Sequence, residues 1–114
     1  MTNCLFCNIA SGTIPSNFVY EDETILAFKD INPKAPTHIL VIPRKHVSTI
    51  NELSEDDDLT IGGMIRRAGL IAADLGHADD GFRTVINCNK DAGQTVFHIH
   101  LHLLAGRTLT WPPG

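Results

Sequence analysis

Residues 97–104 read Phe-His-Ile-His-Leu-His-Leu-Leu, with a histidine at every second position. In an extended strand, alternate side chains point to opposite faces, and same-face neighbours lie ~6.6 Å apart. His98, His100 and His102 then share one face. Phe97, Ile99, Leu101 and Leu103 take the other and read as core. Folding alone needs no row of three imidazoles, because each carries donors and acceptors that cost free energy if buried unpaired. A solvated sheet face is ordinarily filled with Lys, Glu or Thr. The row therefore points to chemistry, and it requires a sheet with one apolar side.

The rest of the chain supplies that sheet. A short helix is predicted over Cys4 to Ser11, stopped by Gly12 and Pro15. Strands are predicted over Asn17 to Glu21 and Thr24 to Lys29, joined at Asp22-Glu23. Two prolines restrict Asn32 to Pro36 to a loop. Thr37 to Ile42 is apolar and β-branched, a central strand ended by Pro43. Ser54 offers an N-cap, and Glu55 to Asp58 put negative charge at the positive end of a helix dipole. Leu59, Ile61, Ile65, Ala68, Ala72 and Leu75 recur at helical spacing as far as Gly76. Gly62-Gly63 either weakens that helix or lets it sit close on the sheet. Phe82 to Asn87 and Phe97 to Leu104 complete five strands. The order gives an α+β domain with a mostly antiparallel five-stranded sheet, one long helix and one short helix, over residues 1–114 as a single domain. Trp111 in the tail is too costly to leave in water and is expected to pack. His77 precedes a charged turn and is expected to be solvated.

At 43% hydrophobic and 19% charged residues, the composition is that of a globular chain. The longest aliphatic run, Ile39 to Ile42, is too short to span a bilayer. No basic region followed by an apolar stretch opens the chain, so a cytoplasmic protein is expected. The formal net charge is −4 and no basic stripe is visible, which argues against a nucleic-acid polymer as partner. Phosphate would have to be held by local groups, which favours a small phosphorylated ligand. Cys4 and Cys7 form a C-x-x-C and Cys88 stands apart, so metal binding, redox chemistry or burial all remain open.

The row itself suits either a metal or one nucleophilic histidine oriented by its neighbours. Its context separates the two. Asn87 to Thr95 offers glycine backbone, amides and a hydroxyl, the parts of a phosphate cradle. A metal would want a carboxylate nearby, and the close candidate, Asp91, is placed on the far side of that loop. A histidine titrating near 6.5 is largely neutral at pH 7 and keeps a lone pair for attack on phosphorus. A leaving group that must gain a proton would be helped by a neighbouring imidazolium.

His98-Ile99-His100-Leu101-His102-Leu103-Leu104 resembles the signature of the histidine triad superfamily. Ala27 to Pro33, Ala35 to His38, Val41 to His46, Gly93 to Val96 and the terminal Trp-Pro-Pro-Gly resemble the family in order and spacing. That ending resembles the Hint branch, the purine nucleoside phosphoramidases. The resemblance implies a homodimer with one sheet continued across both subunits and a covalent nucleotidyl-histidine intermediate. It implies His100 as nucleophile, His102 on the phosphate or leaving group, His38 behind the nucleophile, and His98 as the remaining triad member. It implies Asp30 on the ribose hydroxyls, although Asp30 alone reads as a loop cap. Phe6, Ile9, Phe28 and Ile31 would line the base pocket. Asn87, Gly93, Gln94 and Thr95 would hold the phosphate, with Thr95 where close relatives carry serine. Trp111 would reach the partner's site, and AMP would be a product.

Catalysis of this kind needs no metal cofactor. Several prokaryotic members resembling this chain complete a structural zinc site with residues equivalent to Cys4, Cys7, His46 and His98, which would pin the first helix to the sheet. Two buried thiols are the alternative. For function, the alternatives are a dinucleoside polyphosphate hydrolase of the same fold, a non-catalytic purine nucleotide-binding module, and a metal-dependent hydrolase.

Overall fold

The computed structural model describes residues 2–114. The chain runs α1 (Leu5–Ala10), β1 (Phe18–Glu21), β2 (Ile25–Lys29), β3 (Thr37–Pro43), α2 (Asp58–Asp74), β4 (Arg83–Val85) and β5 (Leu101–Ala105). The five strands form one sheet in the order β1-β2-β3-β5-β4, with every neighbouring pair antiparallel. The predicted α+β class and its five-stranded antiparallel sheet are what the structure contains.

Strand alternation divides the core into two layers. Ile25, Ala27, Ile39, Val41, Leu101 and Leu103 pack under Met64, Ala68, Ile71 and Ala72 of α2. Leu26, Phe28, Leu40 and Ile42 meet Phe6 and Ile9 of α1 on the opposite side. Gly63 allows the close seat of α2, since a Cβ there would lie 3.3 Å from Ile25 Cδ1. Gly62 has no such neighbour.

Local chemistry sets the turns and ends. Asp22 Oδ1 accepts the backbone N–H of Thr24 and Ile25 at 2.8 Å each, and Tyr20 donates its hydroxyl to Oδ2 at 2.6 Å. The Tyr20 bond and then the backbone bonds hold the Asp22 carboxyl down to about 2. At the C-terminal end of α2, His77 N–H reaches the Ala72 carbonyl and Gly76 N–H that of Ala73, around Gly76 at φ +85°. This is the glycine-terminated cap predicted from Gly76. At the other end Asp57 accepts the Ser54 N–H at 3.0 Å and Lys45 Nζ at 2.7 Å, ahead of the first α-helical residue.

Several expectations need correction. The last strand was expected over Phe97 to Leu104 and occupies Leu101–Ala105. Continued past Val41–Leu101, the β3–β5 register would put Ile42 opposite His100 and then Pro43 opposite Ile99, and proline has no N–H to continue the ladder. Ile99 instead donates to the Val47 carbonyl at 2.6 Å. Phe97, ahead of this break, is 48% exposed and not core, whereas Ile99, Leu101 and Leu103 are buried. β4, expected over Phe82 to Asn87, spans only Arg83–Val85, pairing with Leu104 to His102. On α2 the buried stripe is Met64, Ala68, Ile71 and Ala72, rotated from the expected set; Leu59, Ile65 and Leu75 are exposed. His77 is half-buried with its Nε2 2.9 Å from Thr37 Oγ1, not solvated. Within the single chain Trp111 is 80% exposed, with the Arg83 guanidinium 6.0 Å from its ring.

Candidate active site

The site lies on the α1 side of the sheet, where β3 and β5 carry His38 and His102. His38 pairs with Leu104 and His102 with Leu40, so the two histidines are diagonal neighbours on one face. Their rings are 5.2 Å apart, and His38 Nε2 lies 2.9 Å from His102 Nδ1. His100 precedes β5 in irregular backbone, yet keeps the alternating direction. Its ring lies 4.9 Å from that of His102 and edge-on to Phe6 at 5.1 Å.

The hydrogen bonds assign the protons. Lys34 N–H donates to His38 Nδ1 at 3.0 Å, so neutral His38 carries its proton on Nε2. That N–H donates to His102 Nδ1, which puts the His102 proton on Nε2, facing away from His38. His38 Nε2 also lies 3.4 Å from Asp30 Oδ2. His100 Nδ1 is 2.8 Å from the His98 carbonyl and must donate to it, which leaves the Nε2 lone pair unengaged. His38 was expected behind the nucleophile; it stands behind His102, and the group behind His100 is a backbone carbonyl. The same arrangement gives His38 Nε2 a proton and so removes it as a metal ligand.

Burial keeps these rings neutral. It lowers His100, opposed by its bond to the His98 carbonyl. It lowers His38 as well, opposed by Asp30. His102 falls to about 4, through burial first and then the adjacent His100 and His38. At pH 7, therefore, His102 is a neutral N–H donor, not the imidazolium expected from sequence.

His98 is fully buried on the same side, with its ring 5.9 Å from Phe6, but its nitrogens serve a separate cluster. Its Nε2 donates to the Pro43 carbonyl at 2.7 Å. Its Nδ1 lone pair faces Cys4 Sγ at 3.3 Å, Cys7 Sγ at 3.5 Å and His46 Nδ1 at 3.3 Å. The four donor atoms lie within 4.8 Å of one another. Two thiols and two imidazole nitrogens are a zinc-type donor set, and neighbouring ligands of a tetrahedral zinc stand about 3.3–3.8 Å apart. The Pro43 carbonyl fixes the His98 tautomer as an outer partner of a metal ligand does. The residues therefore fit the metal. Burial, and next the adjacent Cys4, push the Cys7 thiol up, so without a cation it keeps its proton. His98 contributes to the His100 site through its carbonyl, not its ring.

The remaining predicted residues divide in two. Phe6, Ile9 and Phe28 form one buried cluster, with Phe6 against both Phe28 and His100. Asp30 caps its own loop, accepting Asn32 N–H at 2.8 Å, while its second oxygen faces His38. Extending the β4–β5 register puts Asn87 opposite His100. Gly93 and Thr95 are exposed in the following loop. The Gln94 side chain is committed to backbone groups of that loop and of the segment after β3: it accepts Asn89 N–H and donates to the Val96 and Ser48 carbonyls. Ile31 is 91% exposed and outside the apolar cluster. Sequence reasoning missed the backbone groups of Lys34, Pro43 and His98, which no side-chain pattern announces.

A family model described as HIT domain matches residues 11–109. The purine nucleoside phosphoramidase of Escherichia coli K12 is 47% identical over 105 residues, 92% of this chain and 88% of that protein. An uncharacterized HIT-like protein of Synechocystis is 47% identical over 110 residues, 96% of each chain. The crystal structure of a HIT family hydrolase from Legionella pneumophila superposes with a TM-score of 0.95 at 54% identity, covering 98% of this chain and 100% of that one. A histidine triad protein from Clostridium difficile gives 0.92 at 43% identity, with 96% of both covered.

Proposed function

Because the chain belongs to the HIT family, we propose that it is a hydrolase that cleaves the P–N bond of purine nucleoside phosphoramidates. The observation that carries this reading is the state of His100: one nitrogen donates to the His98 carbonyl and the other keeps its lone pair. The phosphoramidase of Escherichia coli, at 47% identity, supports the choice of bond and base.

In the first step His100 Nε2 attacks phosphorus and the P–N bond opposite it breaks. The departing amine takes one proton from solvent water, since His102 is neutral and its Nδ1 already accepts from His38. His102 Nε2–H donates to a phosphoryl oxygen or to the leaving nitrogen, stabilising charge without a proton transfer. The His98 carbonyl disperses the positive charge on the nucleotidyl-imidazole through Nδ1–H. Water then attacks phosphorus, the P–Nε2 bond breaks, and one proton returns to solvent as AMP leaves. Two in-line displacements give net retention at phosphorus.

The surrounding residues fit the nucleotide. Phe6, Ile9 and Phe28 offer an apolar wall for the base, with Ile31 at its rim. Asp30 offers a carboxylate for the ribose hydroxyls. Asn87 and the Thr95 hydroxyl offer groups for the phosphate, whereas the Gly93 and Gln94 N–H groups donate to the Lys90 and Asn89 carbonyls and would exchange those bonds to join them. Cys4, Cys7, His46 and His98 would hold a structural zinc, which supplies a cross-link between α1 and the sheet and no chemistry on the substrate. The outer edge of β4 has no partner strand among the described residues, and Trp111 is exposed; both suit a homodimer that continues the sheet. No described helix is long and apolar enough to cross a membrane, and we place the enzyme in the cytoplasm.

The test is amine release from an adenosine phosphoramidate, with mass spectrometry of acid-quenched enzyme. Wild type should release amine and carry a nucleotide adduct on His100, and His100→Ala should do neither. Equal rates in the two proteins would end the proposal.

A further inference from the structure

The histidine pair is only as well ordered as the group at its far end, the N–H of Lys34. That residue lies in the loop between β2 and β3, where Pro33 and Pro36 have no N–H to anchor the backbone. The loop's internal ties are short-range: Asn32 N–H to Asp30, and Lys34 Nζ to the Asn32 carbonyl at 3.3 Å. The grip from outside comes from the end of β5. Ala105 pairs with Thr37, so the chain leaving β5 passes directly over this loop. Gly106 turns there at φ +96°, and a Cβ on it would lie 2.8 Å from Pro36 Cβ. The turn thus sits flush on the loop and delivers Arg107. Its Nη2 and Nε donate to the Lys34 carbonyl at 2.9 and 3.3 Å, while Nη1 donates to the Thr108 carbonyl at 3.2 Å.

We propose that Arg107 is a positioning residue for the active site: by holding the Lys34 carbonyl it keeps the Lys34 N–H on His38 Nδ1, which locks His38 as the Nε2–H tautomer and His102 as an outward donor. The inference rests on the reading of His102 as the donor to the substrate, and it extends the site to a residue that touches neither substrate nor histidine. Both donors, set on one rigid guanidinium, converge on the oxygen of the Lys34–Ala35 peptide, and holding that plane limits how far the Pro33–Lys34 peptide, which carries the N–H, can turn. A lysine ammonium would offer a single flexible donor in their place.

The experiment reads the ring ¹⁵N shifts of His38 and His102 in the free protein, for wild type, Arg107→Gln and Arg107→Lys. Steady-state kinetics on an adenosine phosphoramidate run alongside. In wild type, His38 should show one tautomer, protonated at Nε2. In Arg107→Gln both tautomers should appear, and kcat should fall on the order of tenfold, as misplacement by a distant residue does. KM should stay within about twofold, because the loss is of orientation and not of binding. Arg107→Lys should lie between, and in a third variant, Arg107→Ala, added guanidinium ion should restore part of the rate. Unchanged His38 shifts in Arg107→Gln would overturn the inference whatever the kinetics show. If wild type cleaves no phosphoramidate, the functional reading fails while the shifts still decide on Arg107. Should Arg107→Gln not fold, Arg107→Lys decides by the same shifts.

Discussion

Two clusters of nitrogen and sulfur flank His98, and they are built on opposite principles. Around its ring, Cys4, Cys7 and His46 bring donor atoms together so that lone pairs converge on one point. Around its carbonyl, His100, His102, His38 and the Lys34 N–H alternate donor and acceptor so that almost every position is answered internally. Two groups remain outward, the His100 lone pair and the His102 N–H. Convergent lone pairs suit a cation, and an answered chain with one free lone pair suits attack on phosphorus. The difference is set largely by two backbone carbonyls, Pro43 for His98 and His98 for His100, and both clusters use the same residue type.

The comparison breaks first at His100. Its replacement by alanine should lower turnover by about 10³-fold or more, as loss of a nucleophile does, with the fold retained although the packing on Phe6 is lost. A variant that kept its rate would show that the free lone pair is not the reacting group. The converse substitution is Cys4→Ser with Cys7→Ser. Purified wild type should hold close to one zinc per chain and the double variant none. The melting temperature of the double variant should drop by roughly 10 °C, about 2 kcal/mol for a domain of this size. Its turnover should fall by less than about tenfold, since the clusters are linked by the His98 carbonyl and by the Phe6 ring, edge-on to both His98 and His100, and neither is removed. A stable, metal-free wild type would remove the zinc half of the contrast.

How much of this could be read in advance follows from which features are local. Side-chain alternation is local, so the shared direction of His98, His100 and His102 was legible even though only His102 lies in the paired strand. The Asp22 turn and the Gly76 cap are equally local and were read correctly. Pro43 was read as the end of its own strand. Its effect on Ile99, some fifty residues away, requires the register, and so the length of β5 was misjudged. The partner of His38 also depends on a diagonal in the β3–β5 pairing. The Lys34 N–H and the Pro43 and His98 carbonyls carry no signature, because every such backbone group looks alike in a sequence. On α2, Leu59 and Ile65 fitted a helical spacing, but the stripe that meets the sheet is chosen by where Gly63 lets the helix settle.

Acid should strain the answered chain before it reaches the fold as a whole. His102 takes up a proton near pH 6.5 when unfolded and only at about pH 4 when folded. Between those values the unfolded chain holds the proton and the folded protein does not. Stability from this residue is therefore complete above pH 6.5 and declines as the pH falls toward 4. The expected loss is on the order of 2 kcal/mol. It can be followed as the urea midpoint at pH 7 and pH 4.5. His102→Gln should flatten that dependence; an equally steep profile in the variant would show that His102 carries none of it.

The smallest effect is expected just upstream of the row, and it sharpens where the patterned segment begins. Phe97 was expected in the core on alternation alone, yet it is 48% exposed, while Ile99 is buried at 1%. Phe97→Ala should change stability by no more than about 0.5 kcal/mol, the range of ordinary surface substitutions. Ile99→Ala should cost about 2–5 kcal/mol, through lost burial and the cavity left behind. Denaturant midpoints of the two variants give both values in one experiment. A cost at Phe97 comparable to that at Ile99 would mean that the ring is covered in solution, and that the histidine row begins inside a longer paired strand than β5.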